Sequence, residues 1–185
     1  MLYRAAEQDR TRRFHALYDK VARSDVLRRA WGDVRAARGA PGSDGVTTWA
    51  IEESGVDGFL QGLAADLRAK MYRPAPLRRV HIPKPGRPGA TRPLGIPTVR
   101  DRVVMTAAKV VLEPIFEADF LPPSFGFRPK RSAHMALEVV RVEVNRGADW
   151  VLDADVSDCF GSVDHDALMV QVARRVSDRA MVKLL

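Results

Sequence analysis

Apolar residues at Phe14, Leu17, Tyr18 and Val21 fall at the i, i+3, i+4, i+7 spacing of an amphipathic helix, and Leu27, Ala30, Trp31 and Val34 repeat it after Ser24. Two short helices are predicted, the second with Ser24 as N-cap. A third, from near Glu52 to Met71, buries Phe59, Leu60, Leu63 and Leu67 before Pro74 and Pro76 force an extended chain. Leu77 to Pro85 and Thr91 to Pro97 read as strands flanking a tip at Gly86 to Gly89. This hairpin carries Arg78, Arg79, Lys84, Arg87 and Arg92, and its prolines mark it as a sheet edge. Thr98-Val99-Arg100-Asp101 is a capping box, each end's side chain predicted to satisfy the other end's backbone N–H. The helix it opens runs to about Phe116, with Pro114 bending or ending it. Ser132 is predicted to cap a helix carrying Ala136, Val139, Val140 and Glu143 towards Gly147.

Trp150 to Phe160 then reads as a strand that delivers carboxylates to its own end. Alternation puts Leu152, Ala154 and Val156 on one face, which packs, and Val151, Asp153 and Asp155 on the other, which can hold cations. Ser162 or Asp164 caps a helix through Leu168, Met169, Val172 and Val176. Ser177-Asp178 starts another that is still running at Leu185, an unusual place for a chain to stop. Between the helical segments, Arg38 to Val46 is turn chemistry built on Gly39, Pro41, Gly42 and Asp44-Gly45, a connector on its face.

Composition narrows the class. A 185-residue chain with 46% hydrophobic residues has enough apolar surface for a sizeable core. No uninterrupted apolar run is long enough to span a membrane, and the first residues lack a signal peptide's apolar core, so a cytoplasmic protein without membrane association is expected. The single Cys159 excludes an internal disulfide and reads as a small buried hydrophobe, since no base is identifiable beside it. A formal net charge of +7 favours a polyanionic partner, most often nucleic acid, although an Arg-rich genome biases composition the same way.

Two constellations bear on chemistry, and each has a plain alternative. Asp155 at a strand end is placed to ligate a divalent cation, or else simply caps a helix or pairs with a cation. Lys84 and Arg92 flank the hairpin tip and can grip a phosphate, or else form a solvated basic edge that blocks aggregation. A carboxylate metal ligand with a triphosphate-sized basic clamp is the outline of nucleotidyl transfer. No phosphate-cradling glycine motif and no His-Glu-x-x-His is present. His15, His81, His134 and His165 are scattered, with no pair at ligand spacing.

Five blocks, taken in order, resemble the group II intron reverse transcriptases, also called intron-encoded maturases. They are RGAPGSDGVT from Arg38, VHIPKPGRPGATRPLGIPTVRDR from Val80, LEPIFEADF from Leu112, SFGFRPKR from Ser124 and VLDADVSDCFGSVDHDAL from Val151. The resemblance covers nearly the whole chain. It implies an α+β fold, the fingers of a right-hand polymerase with an incomplete palm. Residues 1–72 would be the N-terminal helical part of the fingers, 73–147 the fingers hairpin and helices, and 148–185 the start of a truncated palm.

The resemblance further implies RNA-directed DNA polymerase activity in the parent enzyme, by two-metal attack of a primer 3′-hydroxyl on a deoxynucleoside triphosphate. Asp155 matches the first catalytic aspartate, binding both Mg²⁺ ions, and the Val156 carbonyl a further metal ligand. Lys84 and Arg92 match the cations that grip the triphosphate. Phe160 matches the bulky residue that disfavours a ribonucleotide by clashing with its 2′-hydroxyl. Asp153 has no catalytic counterpart. Implied partners are template and intron RNA, a DNA primer and deoxynucleoside triphosphates. Met105 departs from a frequent Gln, Phe125 from a common Tyr and Ser43 from a common aliphatic residue. The family's later palm carboxylates do not occur in these residues, so the chain alone is expected to be inactive. The alternatives are a non-catalytic RNA-binding fragment and a gene remnant.

Overall fold

The computed structural model describes residues 1–86 and 89–185. Two compact units divide the chain inside one helix: residues 16–113 form one, residues 1–15 with 114–185 the other. Helices and one small antiparallel sheet make an α+β arrangement, as expected. Among the described residues no helix is long and apolar enough to cross a membrane.

In the 16–113 unit, α2 (Tyr18–Val21) leads into α3 (Ser24–Ala36), α4 (Thr48–Ser54) and α5 (Val56–Arg68). The stripe Leu27, Ala30, Trp31 and Val34 of α3 is buried as its spacing predicts. Phe14 lies outside any helix, so the first predicted helix is reduced to one turn. Ser24 does not cap α3: it is the first helical residue, after Arg23, whose guanidinium makes a two-pronged pair with Asp25 at 2.9 and 2.7 Å. The single helix expected from Glu52 is two. Gly55 at φ 105° breaks the run, a backbone region that a side chain disfavours, and separates α4 from α5. Leu60, Leu63 and Leu67 are buried on α5. Phe59 is only half-buried, set beside Trp31 with ring centroids 5.8 Å apart.

The hairpin forms as β1 (Arg78–Pro83) and β2 (Thr91–Ile96), paired antiparallel from Arg78 opposite Ile96 to Pro83 opposite Thr91. Arg87, expected at its tip, lies outside the described residues. Helix α6 (Val99–Glu117) continues through Pro114 and ends at Glu117. Its capping box is altered. The Asp101 amide donates to the Thr98 hydroxyl at 3.1 Å, as expected. The hydroxyl in turn donates to the Asp101 carboxylate at 2.7 Å, and that carboxylate also accepts the Tyr72 hydroxyl at 2.6 Å and the Ala75 amide at 3.1 Å. The carboxylate therefore holds the 72–75 segment to the helix start.

In the other unit, α1 (Leu2–Gln8), α7 (Ala133–Asn145), α8 (Cys159–Ser162), α9 (His165–Arg175) and α10 (Arg179–Leu184) accompany the end of α6. Ser132 caps α7, and Asp164 rather than Ser162 caps α9. Asp178 caps α10, accepting the amides of Ala180 and Met181. Arg175 is buried there, with its guanidinium donating to the carbonyls of Ala6, Asp9 and Arg12 and lying 3.0 Å from an Asp119 carboxylate oxygen. Phe14 and Val176 bridge beside it. Helix α7 buries none of its residues.

The strand predicted over Trp150 to Phe160 is not formed. Residues 150–156 have no regular structure, and Leu152 and Val156, the residues expected to pack, are 92% and 65% exposed. A strand is completed by hydrogen bonds from a neighbour, and none of the described strands pairs with this one. Cys159, expected to be buried, is exposed.

Candidate functional site

The hairpin presents the first group of candidate residues. Because Ile82 stands opposite Arg92, Lys84 lies two residues further along the same face, and its amide donates to the Ala90 carbonyl at 2.9 Å. Lys84 and Arg92 are thus diagonal neighbours on one face of an antiparallel pair, a relation that spaces side chains by about 7–8 Å. Both are exposed, whereas Arg78, Val80 and Ile82 of that face are half-buried towards the hairpin base. Two cations so placed can embrace an anion with several oxygens, such as a polyphosphate. His81 and Arg79 project from the opposite face, in register with Pro93 and Gly95.

The base of the hairpin is fastened to the Arg38–Val46 turn. Ser43 donates from its hydroxyl to the Pro76 carbonyl at 2.6 Å, and Arg78 donates from Nε to the Pro41 carbonyl at 2.9 Å. Arg102 on α6 donates to the Ala40 carbonyl at 2.8 Å. Gly42 is buried where a Cβ would come within 2.5 Å of the Thr98 nitrogen and 2.6 Å of its Cα, so only glycine lets the turn approach the start of α6 this closely. The turn is therefore a strap tying hairpin and helix together, a role its composition alone did not reveal. No local pattern singled out Arg102 for this contact.

Asp155, Val156 and Phe160 lie in the other unit. All are exposed, Phe160 at 89%. Asp158 follows in the left-handed region at φ 48°, and its carbonyl accepts the Ser162 amide at 2.9 Å, closing the single turn α8 around Phe160. A carboxylate oxygen on Asp155 and the Val156 carbonyl are hard oxygen donors, the chemistry that Mg²⁺ prefers. Among the described residues no three His, Cys, Asp or Glu side chains gather closely enough to hold a metal ion. Among the described residues, these two donors do not by themselves assemble a metal site.

The family model for reverse transcriptase (RNA-dependent DNA polymerase) matches residues 82–183. The chain is 38% identical to Protein YkfC of Escherichia coli, across 97% of this chain and 48% of that protein. It is 33% identical to the group II intron-encoded protein LtrA of Lactococcus lactis subsp. cremoris, across 93% of this chain and 28% of that one. Nuclear intron maturase 1 of Arabidopsis thaliana, a mitochondrial protein, is 37% identical across 48% of this chain and 12% of its own length. The chain spans about half the length of the first of these relatives and less than a third of the others.

Proposed function

We propose a function from one family identity: the chain belongs to the reverse transcriptase (RNA-dependent DNA polymerase) family, of the group II intron maturase type. In this reading its residues supply the triphosphate grip and the first metal-binding aspartate of an enzyme that copies RNA into DNA. The observation that carries it is the placement of Lys84 and Arg92 as diagonal neighbours on one exposed face of the hairpin. They would hold the phosphates of an incoming deoxynucleoside triphosphate and offset the charge that moves to the leaving pyrophosphate.

Asp155 and the Val156 carbonyl would hold Mg²⁺, which lowers the pKa of the attacking hydroxyl and screens the phosphates. Phe160 would stand below the sugar and exclude a 2′-hydroxyl. Two divalent cations held side by side would repel strongly, and one carboxylate would not balance them. On that ground these 185 residues alone would bind nucleotide without polymerising it, further carboxylates being needed from elsewhere.

The test is titration of a fluorescent deoxynucleoside triphosphate into the chain with Mg²⁺. Replacing Lys84 and Arg92 together by Ala should weaken binding by about tenfold or more. Unchanged affinity in the double variant would remove the hairpin from the nucleotide site.

A second reading, RNA binding without catalysis, is favoured by one contrast. The strap and hairpin are built by long-range hydrogen bonds, while residues 150–156 have no regular structure. It predicts RNA affinity that falls steeply with salt and is indifferent to Asp155→Ala.

A further inference from the structure

A groove of about 410 Å³ lies between α3 and α6, within the 16–113 unit and apart from the hairpin cations. Arg102 reaches the Ala40 carbonyl just beyond α3, so the start of α6 lies beside the end of α3. Three features give the groove its chemistry. Val34, Met105 and Val110 make an apolar floor. Arg29, Arg102 and Lys109 bring positive charge, and among the described residues only Lys109 has a carboxylate partner, Glu113 at 3.5 Å. Arg29 has no hydrogen-bond or ion-pair partner among the described residues, and the Nε of Arg102 is buried without an acceptor. Asp33 contributes a second carboxylate to the same wall as Arg29, one helical turn away.

The groove carries two carboxylates, Asp33 and Glu113, beside its cations. A single nucleotide has both polarities: a phosphate needing donors, a flat base needing an apolar floor, and base edges that differ in donors and acceptors. We propose that the α3–α6 groove binds one unpaired nucleotide of an RNA strand, the phosphate on Arg29 and the base over Val34, Met105 and Val110. Asp33 accepts the exocyclic amino group. A carboxylate accepts from the amino group of cytosine and faces the carbonyl of uracil at the same position, so the groove selects cytosine over uracil. That the ligand is RNA rests on the family reading above. The volume falls within the range of small-ligand sites.

The test measures binding of labelled ten-nucleotide oligocytidylate and oligouridylate to the whole 185-residue chain at about 50 mM salt, where phosphate contacts are strong. The intact chain should prefer oligocytidylate by about fivefold or more, and Asp33→Asn should erase that preference. Arg29→Ala should weaken both oligonucleotides, by about fivefold. Both changes fall on exposed helix positions, so folding is preserved. Equal affinity for the two oligonucleotides in the intact chain, or an Asp33→Asn variant that tightens both alike as simple charge removal would, overturns the proposal. Absence of binding to either does the same. Triphosphate binding that still depends on Lys84 and Arg92 would show that the groove alone had failed and the family reading had not.

Discussion

The Tyr72 hydroxyl donates a 2.6 Å hydrogen bond to the Asp101 carboxylate, joining the chain after α5 to the first turn of α6 in a buried setting. Burial first, then the hydrogen bond and the charge of Asp101, raise the Tyr72 phenol above its ordinary value near 10. The folded state thus favours the neutral phenol. That contribution is whole below pH 10 and is lost as the pH rises from there through the raised folded value. Tyr72→Phe leaves Asp101 with one donor fewer and should destabilise the chain by about 1–3 kcal/mol at neutral pH. Thermal melts between about pH 8 and pH 11 should show the variant losing less stability over the alkaline part of that range than the intact chain does. Parallel curves would argue against the assignment.

Glycine positions give a matched pair. Gly42→Ala drives a Cβ into the Thr98 backbone and should cost about 1–3 kcal/mol, as overpacking does. Gly62→Ala, inside α5 with nothing within 4 Å of the added carbon, should instead stabilise by about 0.5–1 kcal/mol through helix propensity. Denaturant midpoints of the two variants moving in the same direction would contradict the strap described above.

Arg175 satisfies three carbonyls from the first 12 residues. Arg175→Met keeps the bulk but leaves those acceptors, the Ala6 carbonyl among them buried, short of donors, at a cost of about 3 kcal/mol. The first residues should then be freed for cleavage. Limited proteolysis read by mass spectrometry should show faster cuts among Arg4, Arg10, Arg12 and Arg13 in the variant than in the intact chain.

Amide hydrogen exchange should separate the two candidate regions. The hairpin amides between Val80 and Ile96 that serve the β1–β2 ladder should be slowed by about a hundredfold or more relative to residues 151–156, which have no ladder partner among the described residues. Slow exchange at Asp155 in the isolated chain would mean that a strand forms there after all.

How much was legible in advance followed the reach of each interaction. The Ser132 and Asp164 caps join residues three apart, and the buried stripe of α3 repeats within a few turns, so local pattern was enough to find them. The hairpin was equally local, its strands separated by a short tip rich in glycine and proline. Ser24 was misplaced because a capping residue and a first-turn residue look alike in sequence, and Arg23 with Asp25 took the boundary. Gly55 was read through because glycine inside an apolar periodicity marks a break only when the backbone turns to positive φ.

By itself the sequence determined the family, the hairpin with Lys84 and Arg92 on its arms, the Thr98-Asp101 start of α6 and the position of Asp155 in the chain. Tertiary structure alone decided that Asp101 binds Tyr72 and Ala75 rather than the helix's own first amide. It also decided that the 38–46 turn is a strap, and that α3 and α6 leave a charged groove between them. It decided too that residues 150–156 do not become a strand here. The physical reason is common to all four. Alternation and caps are written within a few residues, whereas a buried carboxylate, an unfilled groove and a strand each depend on partners far away in sequence, which no local pattern specifies.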